Sequence, residues 1–137
     1  MKLNELTIKE ALDGLKNKKF SSVELTKACL EQIRKYNKDL NAFITVAEKE
    51  ALAQAKSADN LALQGETLQT KPLLGIPIAL KDLFSTKGIK TTAGSKVLEN
   101  YIPQYDATVV KKLKDAGAVI VGKTNLDAWA HGSSGEN

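Results

Sequence analysis

Two apolar segments constrain this chain more than anything else in it. Gly75-Ile76-Pro77-Ile78-Ala79-Leu80 carries apolar residues on both faces, and so does Ala118–Val121. Short apolar runs bounded by glycine and polar residues read as strands covered on both sides. Pro77 suits the start or the edge of such a strand. Between the two runs lies a polar connection from Thr86 to Thr92, which contains Gly88. A helix follows, predicted from a capping Asp106 to about Ala116. It turns Val109, Val110 and Leu113 inward, and Gly117 closes it. Strand, connection, helix, strand is the pattern of α/β architecture.

The N-terminal part reads differently. Thr7-x-x-Glu10 and Ser21-x-x-Glu24 are capping-box sequences, and each opens a helix. Ile8, Ala11, Leu12 and Leu15 fall on one face of the first helix. Leu25, Cys29, Ile33 and Tyr36 form the predicted apolar stripe of the second, with Cys29 as an inert core thiol. Ala42–Val46 is a short β-prone run. Glu48 to about Leu63 is an Ala-rich helix ended by Gly65, and its thin apolar face predicts a peripheral position. Residues 1–70 are thus expected to be mostly helical and residues 71–137 to begin an α/β core. Gly132-Ser133-Ser134-Gly135-Glu136-Asn137 closes no element. The expectation is therefore an opened domain whose exposed strands make it poorly soluble or oligomeric alone.

Composition removes several classes. The 137 residues carry a net charge of +4, and the basic side chains are lysines except for Arg34. Scattered lysines with one guanidinium argue against a nucleic-acid-reading surface. No apolar run is long enough to span a bilayer, and Met1–Lys9 lacks a signal-peptide apolar region. The expected compartment is therefore the cytoplasm, and the single cysteine, Cys29, allows no internal disulfide. Gly117-Ala118-Val119-Ile120-Val121-Gly122-Lys123-Thr124 fits the phosphate-loop pattern by letter. A helix precedes it, however, and its interior is a β-branched strand where a phosphate cradle needs a loop. A non-catalytic nucleotide- or RNA-binding module is accordingly kept only as an alternative from a different class.

Lys81 is the residue with chemical potential. In an alternating strand it shares a face with Pro77 and Ala79, whose small side chains leave room beside the ammonium. Asp82 points to the other face and need not quench it. An unpaired amine in such a place can act as a proton carrier for a hydroxyl.

The segment Gly75–Asp82 closely resembles the lysine segment of the amidase signature family. Thr91-Thr92-Ala93-Gly94-Ser95-Lys96, Asp106-Ala107-Thr108-Val109-Val110, Gly117-Ala118 and Gly122-Lys123-Thr124-Asn125 continue the resemblance in order. Leu25-Thr26 and Asn41-Ala42-Phe43 fit it too, so the resemblance runs through the whole chain. It implies an amidase-signature α/β fold, a mixed sheet covered by helices, of which this is the N-terminal part of a single domain. It also implies a serine, cis-serine and lysine triad with Lys81 as the lysine, both serines lying beyond this sequence. His131, Gly132 and Ser133 would border the substrate pocket, and Ser133 and Ser134 would not be the nucleophile. Trp129-Ala130-His131 stands where the family often has Phe-Ala-Met.

Within the family the chain is most similar to the branch that hydrolyses the amide of glutamine for a tRNA-dependent amidotransferase. That resemblance implies partner subunits B and C and tRNA met through the complex. It implies no cofactor in this chain, with ATP and Mg²⁺ used by one of the partners, and no glutaminase activity for these residues alone. The alternative within the family is a stand-alone amidase acting on another small amide.

Overall fold

The computed structural model describes residues 2–132 and 134. Both capping boxes form. The Thr7 side chain accepts from Glu10 N and starts α1 (Ile8–Lys16), and the Ser21 side chain does the same for Glu24 N at α2 (Ser22–Leu40). Backbone N–H donation from Thr7 and Ser21, reinforced by their hydroxyls, holds the Glu10 and Glu24 carboxyls below their ordinary range. Carboxyls lowered in the folded state stabilise it above their ordinary pKa and lose that contribution as pH falls through the folded value. The melting temperature should therefore be flat near neutrality and decline in acid. Replacing both glutamates by glutamine should flatten the acid limb, and an unchanged limb would refute the assignment.

A sheet ordered β1-β3-β2 carries the rest. β1 (Phe43–Val46) lies antiparallel to β3 (Val119–Thr124), and β2 (Pro77–Lys81) lies parallel to it. β3 is central and buried along Val119–Lys123, as its β-branched sequence predicts. β2 departs from expectation. It occupies a sheet edge in this structure, and Ala79 and Lys81 are exposed while Leu80 is buried. Pro77 is its first residue, where a missing N–H costs least.

The α3 helix (Glu48–Leu63) keeps its predicted boundaries but not its predicted place. Ala51 and Ala55 are fully buried, in one cluster with Leu30, Val119 and Val121. Alanine lets α3 approach both α2 and the sheet closely, so a thin apolar face marks tight packing and not a periphery. The Gln54 side chain reaches the sheet and accepts from Ile120 N at 2.8 Å. Asp59 accepts from Ser22 N and Val23 N, so α3 also caps α2.

The buried face of α2 is rotated from its predicted stripe. Ser22, Leu25, Thr26 and Leu30 are buried, and Tyr36 is exposed. Cys29 is half-buried, and burial pushes its thiol upward, away from the reactive thiolate. Ile8 on α1 is likewise exposed. The helix between the strands, α4 (Thr108–Asp115), is capped by Ala107 and not by Asp106. Asp106 instead accepts from Lys87 N and pairs with Lys114 at 2.8 Å. Val110 is fully buried, but Val109 is exposed.

Gly122 has a specific steric reason. A Cβ there would meet the Thr45 carbonyl oxygen at 2.5 Å, a backbone atom that cannot step aside. Gly122→Ala should destabilise the fold by about 1–3 kcal/mol, the usual cost of overpacking. Urea unfolding measures this, and a loss under a few tenths would show that β1 moves freely.

Candidate active site

The parallel strands end together. Lys81 pairs with Thr124, and Asp82 N donates to Thr124 O at 3.0 Å. In open α/β sheets, ligands bind in the crevice beyond the carboxyl ends of the strands. At this end the chain alternates sharply. Lys81 is exposed, and its ammonium makes no ion pair or hydrogen bond among the described residues. Asp82, one residue later, is fully buried.

Asp82 sits in a dry polar cluster. Its Oδ1 lies 3.0 Å from Lys123 Nζ, and both side chains are inaccessible to solvent. Its Oδ2 accepts from Thr92 N at 2.9 Å and from Thr92 Oγ1 at 2.6 Å. Lys123 Nζ also donates to Phe84 O at 2.9 Å and to Thr91 Oγ1 at 2.8 Å. Burial pulls the Lys123 ammonium below the ordinary lysine range, and the Asp82 carboxylate opposes that pull. The cluster explains why Asp82 leaves Lys81 alone: its carboxylate is engaged on the opposite face.

The cluster also ties the neighbouring loops to the strand end. Ala93 N donates to Asp82 O at 2.9 Å, and Trp129 N donates to Ala93 O at 2.8 Å. Ala93, Trp129 and Ala130 all take positive φ, between 52° and 60°. Such backbone is uncommon for residues with a Cβ and concentrates at functional sites. Trp129 is about half exposed.

The sequence-predicted residues thus fall in connected segments. Lys81 stands at the strand end, and the bonds through Asp82, Ala93 and Trp129 lead to His131 and Gly132, both exposed. A Cβ at Gly132 would collide with Asp127 Oδ1 at 2.7 Å. Ser133 lies outside the described residues. Sequence reasoning sets Asp82 aside and treats Lys123 only as part of the phosphate-loop string and of a resemblance motif, with no partner for its charge. The legible signal is a lysine directly after Gly122 in an otherwise apolar strand. The phosphate-loop reading fails in the structure as it does in sequence: Gly117, at φ +89°, follows the helix cap, and Val119–Thr124 is strand. A separate groove of about 780 Å³ lies elsewhere, between the α1–α2 turn and the end of α3, and includes none of these residues.

The architecture is a mixed α/β sheet with helices packed on it and a free lysine at the carboxyl end of its parallel strand pair. That is the framework of an α/β domain. The Amidase family model matches residues 24–137, and the chain belongs to that family. It is 55% identical over 137 residues to the A subunit of glutamyl-tRNA(Gln) amidotransferase from Geobacter metallireducens, covering all of this chain and 28% of that protein. The protein of the same name from Coxiella burnetii is 51% identical over 135 residues, 98% of this chain and 27% of that one. Among solved structures, the native peptide amidase of Stenotrophomonas maltophilia is similar with a TM-score of 0.86 and 35% identity, over 93% of this chain and 26% of that one. A fatty acid amide hydrolase is similar with a TM-score of 0.82 and 28% identity, over 90% and 22%. The chain thus spans little more than a quarter of the length of the relatives it matches. No helix among the described residues is long and apolar enough to cross a membrane.

Proposed function

We propose that this chain supplies the catalytic lysine of a glutamine-hydrolysing amidotransferase. The observation that carries the reading is Lys81, an ammonium with no carboxylate partner among the described residues, at the end of β2. It stands in a chain 55% identical throughout to the A subunit of a glutamyl-tRNA(Gln) amidotransferase. In this reading Lys81 exchanges a proton with a cis-serine, which exchanges it with a nucleophilic serine; both serines belong to the rest of the protein. The serine oxygen bonds to the side-chain carbonyl carbon of glutamine, and the C–N bond breaks. The nitrogen takes the relayed proton and leaves as ammonia. Water then cleaves the acyl-enzyme to glutamate. Backbone N–H groups hold the oxyanion at each stage.

His131, Gly132 and Ser133 border the amide pocket in this proposal. The ammonia passes to partner subunits B and C in the cytoplasm, where ATP and Mg²⁺ serve the amidation of misacylated Glu-tRNA(Gln). The test is ammonia release from glutamine by the full-length protein with its partners. Release dependent on Lys81 supports the reading, and release indifferent to it overturns the assignment.

A second reading is favoured by the similarity to peptide amidase. The full-length protein would then be a stand-alone amidase. Hydrolysis of C-terminal peptide amides without any partner, faster than of glutamine, would decide for it.

A further inference from the structure

We propose that the buried Asp82–Lys123 pair is a positioning device for Lys81, holding the strand end and the 91–93 loop in one fixed arrangement. This rests on the reading of Lys81 as the proton carrier. Asp82 is the covalent neighbour of Lys81, and three of its groups are committed. Its N–H bonds Thr124 O, its carbonyl accepts from Ala93 N, and its carboxylate takes Thr92 and Lys123. The main chain after Lys81 therefore has no freedom to turn. Lys123 reaches the same cluster from the central strand and bonds Phe84 O and Thr91 Oγ1, on either side of it. One ion pair thus joins β3, the end of β2 and the 84–93 segment. Through Ala93 O it also holds Trp129, whose segment carries His131 and Gly132.

A buried ion pair is weak evidence for stability, since apolar replacements of similar volume often serve as well. Its better-attested use is to fix one arrangement among several, and the contacts of this pair are those such a use requires. The carboxylate is bonded by a loop amide and its hydroxyl, and the ammonium by a loop carbonyl and hydroxyl. Packing alone would need none of these bonds. The pair also keeps the adjacent carboxylate off Lys81.

The experiment reads geometry and turnover separately. Residue-resolved amide hydrogen exchange is measured on the full-length protein with Asp82→Asn, which keeps shape and removes charge. The amides of Thr92, Ala93 and Trp129 should exchange at least tenfold faster, while those of Leu30 and Ala55 stay within twofold. Equal acceleration at all five would show a structural role only, and none at the first three would show that the pair does not hold the loop; either would overturn the proposal. Should Asp82→Asn fail to fold, Thr92→Val removes the two Oγ1 bonds, to Asp82 and from Gly94 N, while keeping the Thr92 N bond to the carboxylate, and is expected to raise exchange at Ala93 about fivefold. No change there is the refuting result. In the full-length protein, Asp82→Asn should lower kcat for glutamine at least tenfold and leave KM within twofold. A loss of kcat only in proportion to the unfolded fraction counts against the proposal. The exchange result does not depend on turnover, so a failed assignment of Lys81, seen with Lys81→Ala, remains distinguishable from a failed clamp.

Discussion

Asp82→Ala is expected to destabilise the chain by about 3–5 kcal/mol, the cost of leaving one member of a buried ion pair alone. Lys123 would keep its bonds to Phe84 O and Thr91 Oγ1 but lose its counter-charge in a place water does not reach. Combining Asp82→Ala with Lys123→Met should recover most of the loss, since the uncompensated charge is then gone. Urea unfolding followed by circular dichroism measures both. The pH dependence gives an independent sign. A buried lysine whose folded pKa lies below its unfolded value is a penalty at low pH, relieved as pH rises through the folded pKa toward the unfolded one. Burial already lowers the pKa of Lys123, and loss of Asp82 lowers it further. The single variant should therefore regain stability on the alkaline side, and the double variant should not. A single-variant loss below about 1 kcal/mol, the scale of a solvated pair, would mean that water enters the cluster.

Lys81→Ala carries the largest expected effect on activity. In the full-length protein it should lower kcat for glutamine by about 10²–10⁴, the range for loss of a general acid–base group. KM should change little, because the lysine handles a proton and does not grip the substrate. Lys81→Arg should not rescue, since a guanidinium stays protonated and cannot take a proton from a hydroxyl. Stability should stay within about 0.5 kcal/mol of the parent, as for other exposed positions. Glutamine hydrolysis by the alanine variant within tenfold of the parent would remove Lys81 from the mechanism.

Sequence and structure agree where the information is local. Capping boxes depend on residues three apart, and both form as read. The run Val119–Val121 demands a covered strand, and it receives one. The bounds of α3 follow from alanine content and a glycine stop. Disagreement begins where a neighbour decides. The burial of Ala51 and Ala55 reflects how closely α2 and β3 approach, which no apolar count on α3 conveys. Asp106 has the chemistry of a cap, but Lys87 N and Lys114 compete for it and win.

The candidate site divides in the same way. The sequence determined that Lys81 ends an apolar strand and that Asp82 faces away from it, because alternation is a property of the strand itself. It determined the amidase resemblance through an ordered series of short motifs. Only the tertiary structure decided what Asp82 faces. Its partner is 41 residues further on, on a strand parallel to its own, and the third member of the cluster comes from the intervening loop. Ion pairs at that separation depend on strand register and loop path, and neither is encoded in any local window. The tertiary structure thus turned two lysines with similar neighbourhoods in sequence into opposites: Lys81 free at the surface, and Lys123 sealed inside holding the frame.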